Sequence, residues 1–214
     1  MKILLSVLFS FLLITGSYAG DKYENAMKKN IDKIGECRTA TDYINTANSF
    51  ERIALAENNK WLPFYYSSFL YVLACYVDSS TVNRDNYLDK ADQFIIKADS
   101  LEADNSEIYT LKGMIAQVRM QIDPMNRWKK YGPVANSAFE KAMAIDSLNP
   151  RPEYLIGIGT YYTPEQFGGG PVNAKPILEK SLKKYEQFQP ANELMPVWGK
   201  AQVEQLLAKI NGQK

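Results

Sequence analysis

Three stretches of the chain share one sparse pattern of small and large apolar positions. Ala91, Ile95 and Ala98 are spaced by four and three, with Ala103 five later. Ala135, Phe139, Ala142 and Ser147 repeat the whole spacing, and Ala174, Leu178 and Ser181 repeat its first part. Positions i, i+4 and i+7 fall on one face of a helix, and small residues there let a neighbouring helix come close. Recurrence of the unit predicts a stacked helical array. The elements around these stripes are helical throughout. Helices are expected over 23–34, 40–57 and 61–77, then from Asp85 or Asn86 to Leu101, and from Ser106 to Ile122. A sixth opens at Pro133 and ends near Ile145, followed by 151–162, a helix capped by Asn173, and an amphipathic last helix from about Met195 to Ile210.

The same spacing resembles the tetratricopeptide (TPR) superfamily over roughly residues 42–186. In that pattern a small residue stands ten positions after the last position of the preceding unit, which here selects Gly113 and Gly157. Both glycines lie inside apolar helical runs and are expected at close helix crossings. The next small residue is late at Ala135 and Ala174, by about ten and five residues against a repeat of roughly 34. These insertions fall between the two helices of one repeat, and 77–86 looks like a third. The stretches 77–86, 123–132 and 163–171 are therefore expected as loops sharing one edge.

Asn149-Pro150-Arg151-Pro152, the stretch Tyr162 to Gly170, and Pro196-Val197-Trp198-Gly199-Lys200 resemble a family of small exported bacterial TPR proteins. That resemblance implies a right-handed α-solenoid of about four TPR-like helix pairs plus a C-terminal capping helix. It also implies export and a binding role.

Compartment follows from the amino terminus. Lys2 precedes the apolar run Ile3 to Ile14, and Ser17 and Ala19 are small residues before a cut. This reads as a signal peptide over 1–19, with a mature domain over 20–214 in the periplasm or secreted. The mature chain has no further segment apolar enough to span a membrane. Loss of Lys2 turns 25 basic and 24 acidic residues into 24 of each, so nucleic-acid binding has no global electrostatic support. The chain contains no histidine. That removes histidine-based catalysis and histidine metal sites, and leaves no metal or cofactor call. Cys37 and Cys75 survive processing and should lie at the same end of the array. The sequence leaves them open between a disulfide and buried thiols.

The expected function is a non-catalytic binding or scaffold module for an envelope protein or glycan. The candidate contact residues lie in the loops: Arg127, Trp128, Lys130 and Tyr131, which combine cations with aromatics, and Phe167 before the glycine run. The alternative is a small-ligand or glycan site in an aromatic concave groove around Trp61, Tyr65 and Tyr109. The glycine run 168–170 lacks the Lys-Ser/Thr of a phosphate loop, so nucleotide binding is not expected there.

Overall fold

The computed structural model describes residues 22–212, and the expected signal peptide lies outside them. Among the described residues the chain is all-helical, with no strand. The helices are α1 (22–34), α2 (Ala40–Ala56), α3 (Trp61–Val77), α4 (Thr81–Leu101), α5 (Ser106–Ile122), α6 (Pro124–Ile145), α7 (Arg151–Tyr162), α8 (Pro171–Gln187) and α9 (Lys200–Ile210). A single 3-10 turn, Glu165–Phe167, precedes α8. Short connections make successive helices antiparallel neighbours. Contact runs along the chain order from α2 to α9, and α3, α5 and α7 also touch in sequence.

The repeated stripes are buried. Ala91, Ile95 and Ala98 on α4, Ala135, Phe139 and Ala142 on α6, and Ala174, Leu178 and Ser181 on α8 all face the core. Their small positions are where backbones approach. Ser68 Oγ donates to Ala91 O, Ser106 Oγ to Ala142 O, and Ser181 Oγ to Pro150 O. A Cβ on Gly113 would lie 2.3 Å from the Phe139 ring, and one on Gly157 would lie 2.7 Å from Leu178 Cδ2. The two glycines thus occupy equivalent crossings, each under the large residue of the following stripe.

Two of the expected loops are helical instead. Helix α4 starts at Thr81, because Ser80 Oγ accepts from the Asn83 amide and supplies the cap. Asp85 therefore lies within the helix. Helix α6 starts at Pro124, where Asp123 caps the Asn126 amide and proline fills the first turn. Pro133 is left in its interior. Only 163–170 remains a non-α-helical connection of the three. The last helix begins late, at Lys200, since 188–199 runs as irregular chain with Gly199 at φ 110°.

Both cysteines are buried free thiols, so the bridge left open above does not form. Cys37 Sγ donates to Lys33 O and shares a hydrogen bond with Thr46 Oγ1. Burial pushes the Cys75 thiol up from its ordinary value, partly offset by Arg84.

Candidate ligand-binding site

The face where α3 and α7 approach each other is covered by the protein itself. Direct polar contacts hold segment 188–199 to α3 and α7, and Glu107 of α5 pairs with the α7 arginine that makes one of them. Tyr66 Oη donates to Leu194 O at 2.7 Å, and Trp198 Nε1 donates to Tyr65 Oη at 3.0 Å. Arg151 donates to Pro196 O and, at 2.7 Å, to Glu107 Oε1. The Trp198 ring stacks on Phe69 at 5.0 Å and meets Tyr154 edge-on. Arg151 is wholly buried beneath the Phe188 and Trp198 rings. Burial raises the Tyr65 phenol well above its ordinary value and raises Glu107, the latter opposed by Arg151.

The aromatic groove expected around Trp61, Tyr65 and Tyr109 is therefore not open. Tyr65 has no exposed surface, and Trp61 packs edge-on against it. Tyr109 joins neither, standing between the ammonium groups of Lys112 and Lys141 at 4.6 and 5.6 Å. Periodicity marked α3 as apolar nearly all round, but not that an irregular segment more than a hundred residues later would cover it.

The rim residues separate into two groups. Arg127 is committed to the fold, with both terminal nitrogens on Asp85 at 2.7 and 2.8 Å. This fork, and Arg119 on Asp89 and Asp92, ties the starts of α4 and α6 to the end of α5. Arg127 in turn holds the Asp85 carboxyl below its usual range. Lys130 lies 4.9 Å from the Tyr131 ring centroid. Trp128 and Phe167 are exposed, at 54% and 71%. Phe167 borders a cavity of about 230 Å³ shared with Gly132, Asn136 and Phe139 of α6. Trp128 lies one turn before Gly132 on the same face of α6.

An open concavity lies at the other end of the chain, between α1 and α2, with a volume of about 480 Å³. Its floor is Tyr23, Ala26, Ile53 and Ala56. Its walls carry Lys22, Lys29 and Lys33 from α1 and Arg52 from α2, against one acid, Glu57. The helix period explains the arrangement: Lys22, Ala26, Lys29 and Lys33 are spaced by four, three and four on one face of α1. Ser49, Arg52, Ile53 and Ala56 form the matching face of α2. Arg52 donates to Ser49 Oγ at 2.9 Å, which holds the guanidinium along the wall. Among the described residues Lys29, Lys33 and Arg52 make no ion pair with an acid. Burial and the nearby Glu57 and Glu24 push the Tyr23 phenol up to about 12. None of the lining residues is a histidine, methionine or cysteine. Sequence reading passed over this groove because spaced lysines on a terminal helix look like a solvated face.

Comparison with known proteins gives one informative likeness. The structure matches the HusA haemophore from Porphyromonas gingivalis with a TM-score of 0.79 and 30% sequence identity, over 89% of this chain and 93% of that one. No protein-family model matches the chain. No curated protein matches it either.

Proposed function

The chain belongs to the family of the HusA haemophore, and on that premise we propose that it is an exported, non-catalytic binder of a haem-class macrocycle. Its TPR-like pairs would form a right-handed array with α9 as cap, and the α1–α2 groove would be the seat. The observation that carries this reading is the pairing of an apolar floor with four cationic side chains along the walls of this groove. Haem is a flat apolar ring with two carboxylates on one edge. The ring matches Tyr23, Ala26, Ile53 and Ala56. The carboxylates match Lys29, Lys33 and Arg52, and Arg52 offers a planar fork for one of them.

The residues fit the macrocycle rather than its iron. Tyr23 and Glu57 are the lining side chains able to ligate iron as anions, and the groove offers no imidazole, thioether or thiol beside them. Binding by this groove therefore rests on ring burial and carboxylate pairing, and a metal-free macrocycle with the same carboxylates should bind comparably.

The test is a titration of the mature chain with haem and with metal-free protoporphyrin, followed by calorimetry. Saturable binding of both at one site supports the reading. Binding of neither leaves the chain a scaffold.

A further inference from the structure

The edge where α3, α5 and α7 end and α4, α6 and α8 begin carries a repeated feature that the core does not use. The second residue of each of these three starting helices is a large aliphatic side chain open to solvent. Val82 is 71% exposed, Met125 82% and Val172 79%. Exposed aromatic rings accompany two of them: Trp128 follows Met125 on α6, and Tyr162 and Phe167 precede Val172. The helix starts are already secured by Ser80, by Asp123 and by prolines in the first turns of α6 and α8, so these aliphatic side chains are not needed as caps. The three turns form one edge. Antiparallel packing brings them to the same end of the array. The Arg127–Asp85 fork ties the first turn to the second, and the cavity that Phe167 shares with Gly132 ties the second to the third. A solitary exposed apolar residue is ordinary, but recurrence at equivalent positions along one edge marks a contact surface.

We propose that this edge docks the protein on an anionic phospholipid surface. Charge selects the partner. Lys129 and Lys130 stand exposed at the middle turn, beside Trp128, and make no ion pair with an acid among the described residues. The opposite edge also shows aliphatic side chains, Leu101 and Leu148, but these lie next to Glu102 and near Asp146, exposed acids that an anionic surface repels. Shape points the same way. Protein partners anchor on groups seated in desolvated pockets, whereas Val82, Met125 and Val172 stand at the tips of the array. Exposed aliphatic tips with Trp and Tyr beside them suit the headgroup boundary, where such a ring has one apolar end and one wet end. No helix among the described residues is long and apolar enough to cross a membrane. The contact is therefore peripheral, with the aliphatic tips at the acyl boundary and the lysines on lipid phosphates.

This inference stands independently of the α1–α2 groove, and its experiment uses the mature chain with no macrocycle added. The chain is sedimented with vesicles of phosphatidylcholine and phosphatidylglycerol, mixed about three to one, and with vesicles of phosphatidylcholine alone. The mixed vesicles should carry the chain down, with binding that weakens as salt is raised. The triple variant Val82→Ser, Met125→Ser, Val172→Ser alters exposed side chains and should keep its melting temperature while binding roughly tenfold more weakly. Leu101→Ser with Leu148→Ser, on the opposite edge, should bind as the parent does. Lys129→Glu with Lys130→Glu should remove the preference for the anionic vesicles. A measurement on the parent itself guards against a misfolded variant: brominated phosphatidylcholine in the mixed vesicles should quench tryptophan fluorescence, and Trp128→Phe should lose most of that quenching. No binding to the mixed vesicles, parent-like binding by the folded triple variant, or full quenching in Trp128→Phe overturns the proposal. An equal loss of binding on both edges also overturns it.

Discussion

Arg151 and Glu107 show how single residues are bound to the fold. The guanidinium is fully buried, and its main ionic partner is a carboxylate that is itself buried. Replacing Arg151 with Met should cost roughly 3–5 kcal/mol, because an uncompensated buried carboxylate remains. Burial already raises Glu107, and removing Arg151 takes away a cause that lowers it. An acid whose pKa is raised in the folded state contributes stability below its unfolded value and loses it as pH rises through the folded one. The stability gap between Arg151→Met and the parent should therefore narrow as pH falls toward the ordinary carboxylate range near about 4.3. Urea melts at pH 7 and pH 4.5 measure it, and a constant gap would mean Glu107 is not the group left stranded. Gly113 gives a second, steric test. Gly113→Leu drives side-chain atoms into the Phe139 ring and should destabilise by roughly 1–3 kcal/mol. An unchanged melting temperature would show that the crossing is looser than the geometry says.

At the scale of elements, the periodic parts were legible and the aperiodic parts were not. The stripes on α4, α6 and α8 follow from spacing alone, since helix geometry fixes which residues share a face, and the resemblance to the TPR pattern picks out the glycines beneath two of them. The start of α6 was misread because two prolines carry the same start signal. Asp123 decides between them by capping the first turn, which leaves Pro133 inside the helix at a cost. Pro133→Ala should then stabilise the protein, by up to about 3 kcal/mol in the limit of an unaccommodated interior proline. A lower melting temperature for this variant would restore Pro133 as a helix start. Segment 188–199 had no periodicity to reveal it. The Trp198–Tyr65 bond spans 133 positions, and nothing local in Pro196-Val197-Trp198-Gly199 names its partner. The aromatic richness of α3 fits either core packing or a ligand groove, and the chain's own segment 188–199 packs on it. The insertions are mostly extra helical turns, and those turns bring Phe167 and Gly132 of α6 to one cavity.

For the whole molecule, the proposed function rests on the distribution of open surface. With segment 188–199 packed against α3 and α7, the proposal turns to the terminal groove between α1 and α2. That groove was illegible in the sequence because its specificity lies in exposed cations. Single exposed charges contribute little in water, so no one lysine stands out. Together they line an apolar trough and set the sign of what it accepts. The central claim, a haem-class macrocycle held between α1 and α2, is tested most directly by reversing those charges together. In the triple variant Lys29→Glu, Lys33→Glu, Arg52→Glu, the altered side chains are exposed, so the fold should persist with little change in melting temperature. Calorimetric titration with metal-free protoporphyrin should show affinity at least tenfold weaker than the parent, about 1.4 kcal/mol or more. Parent-like affinity in a folded triple variant would contradict the claim and move the ligand elsewhere on the array.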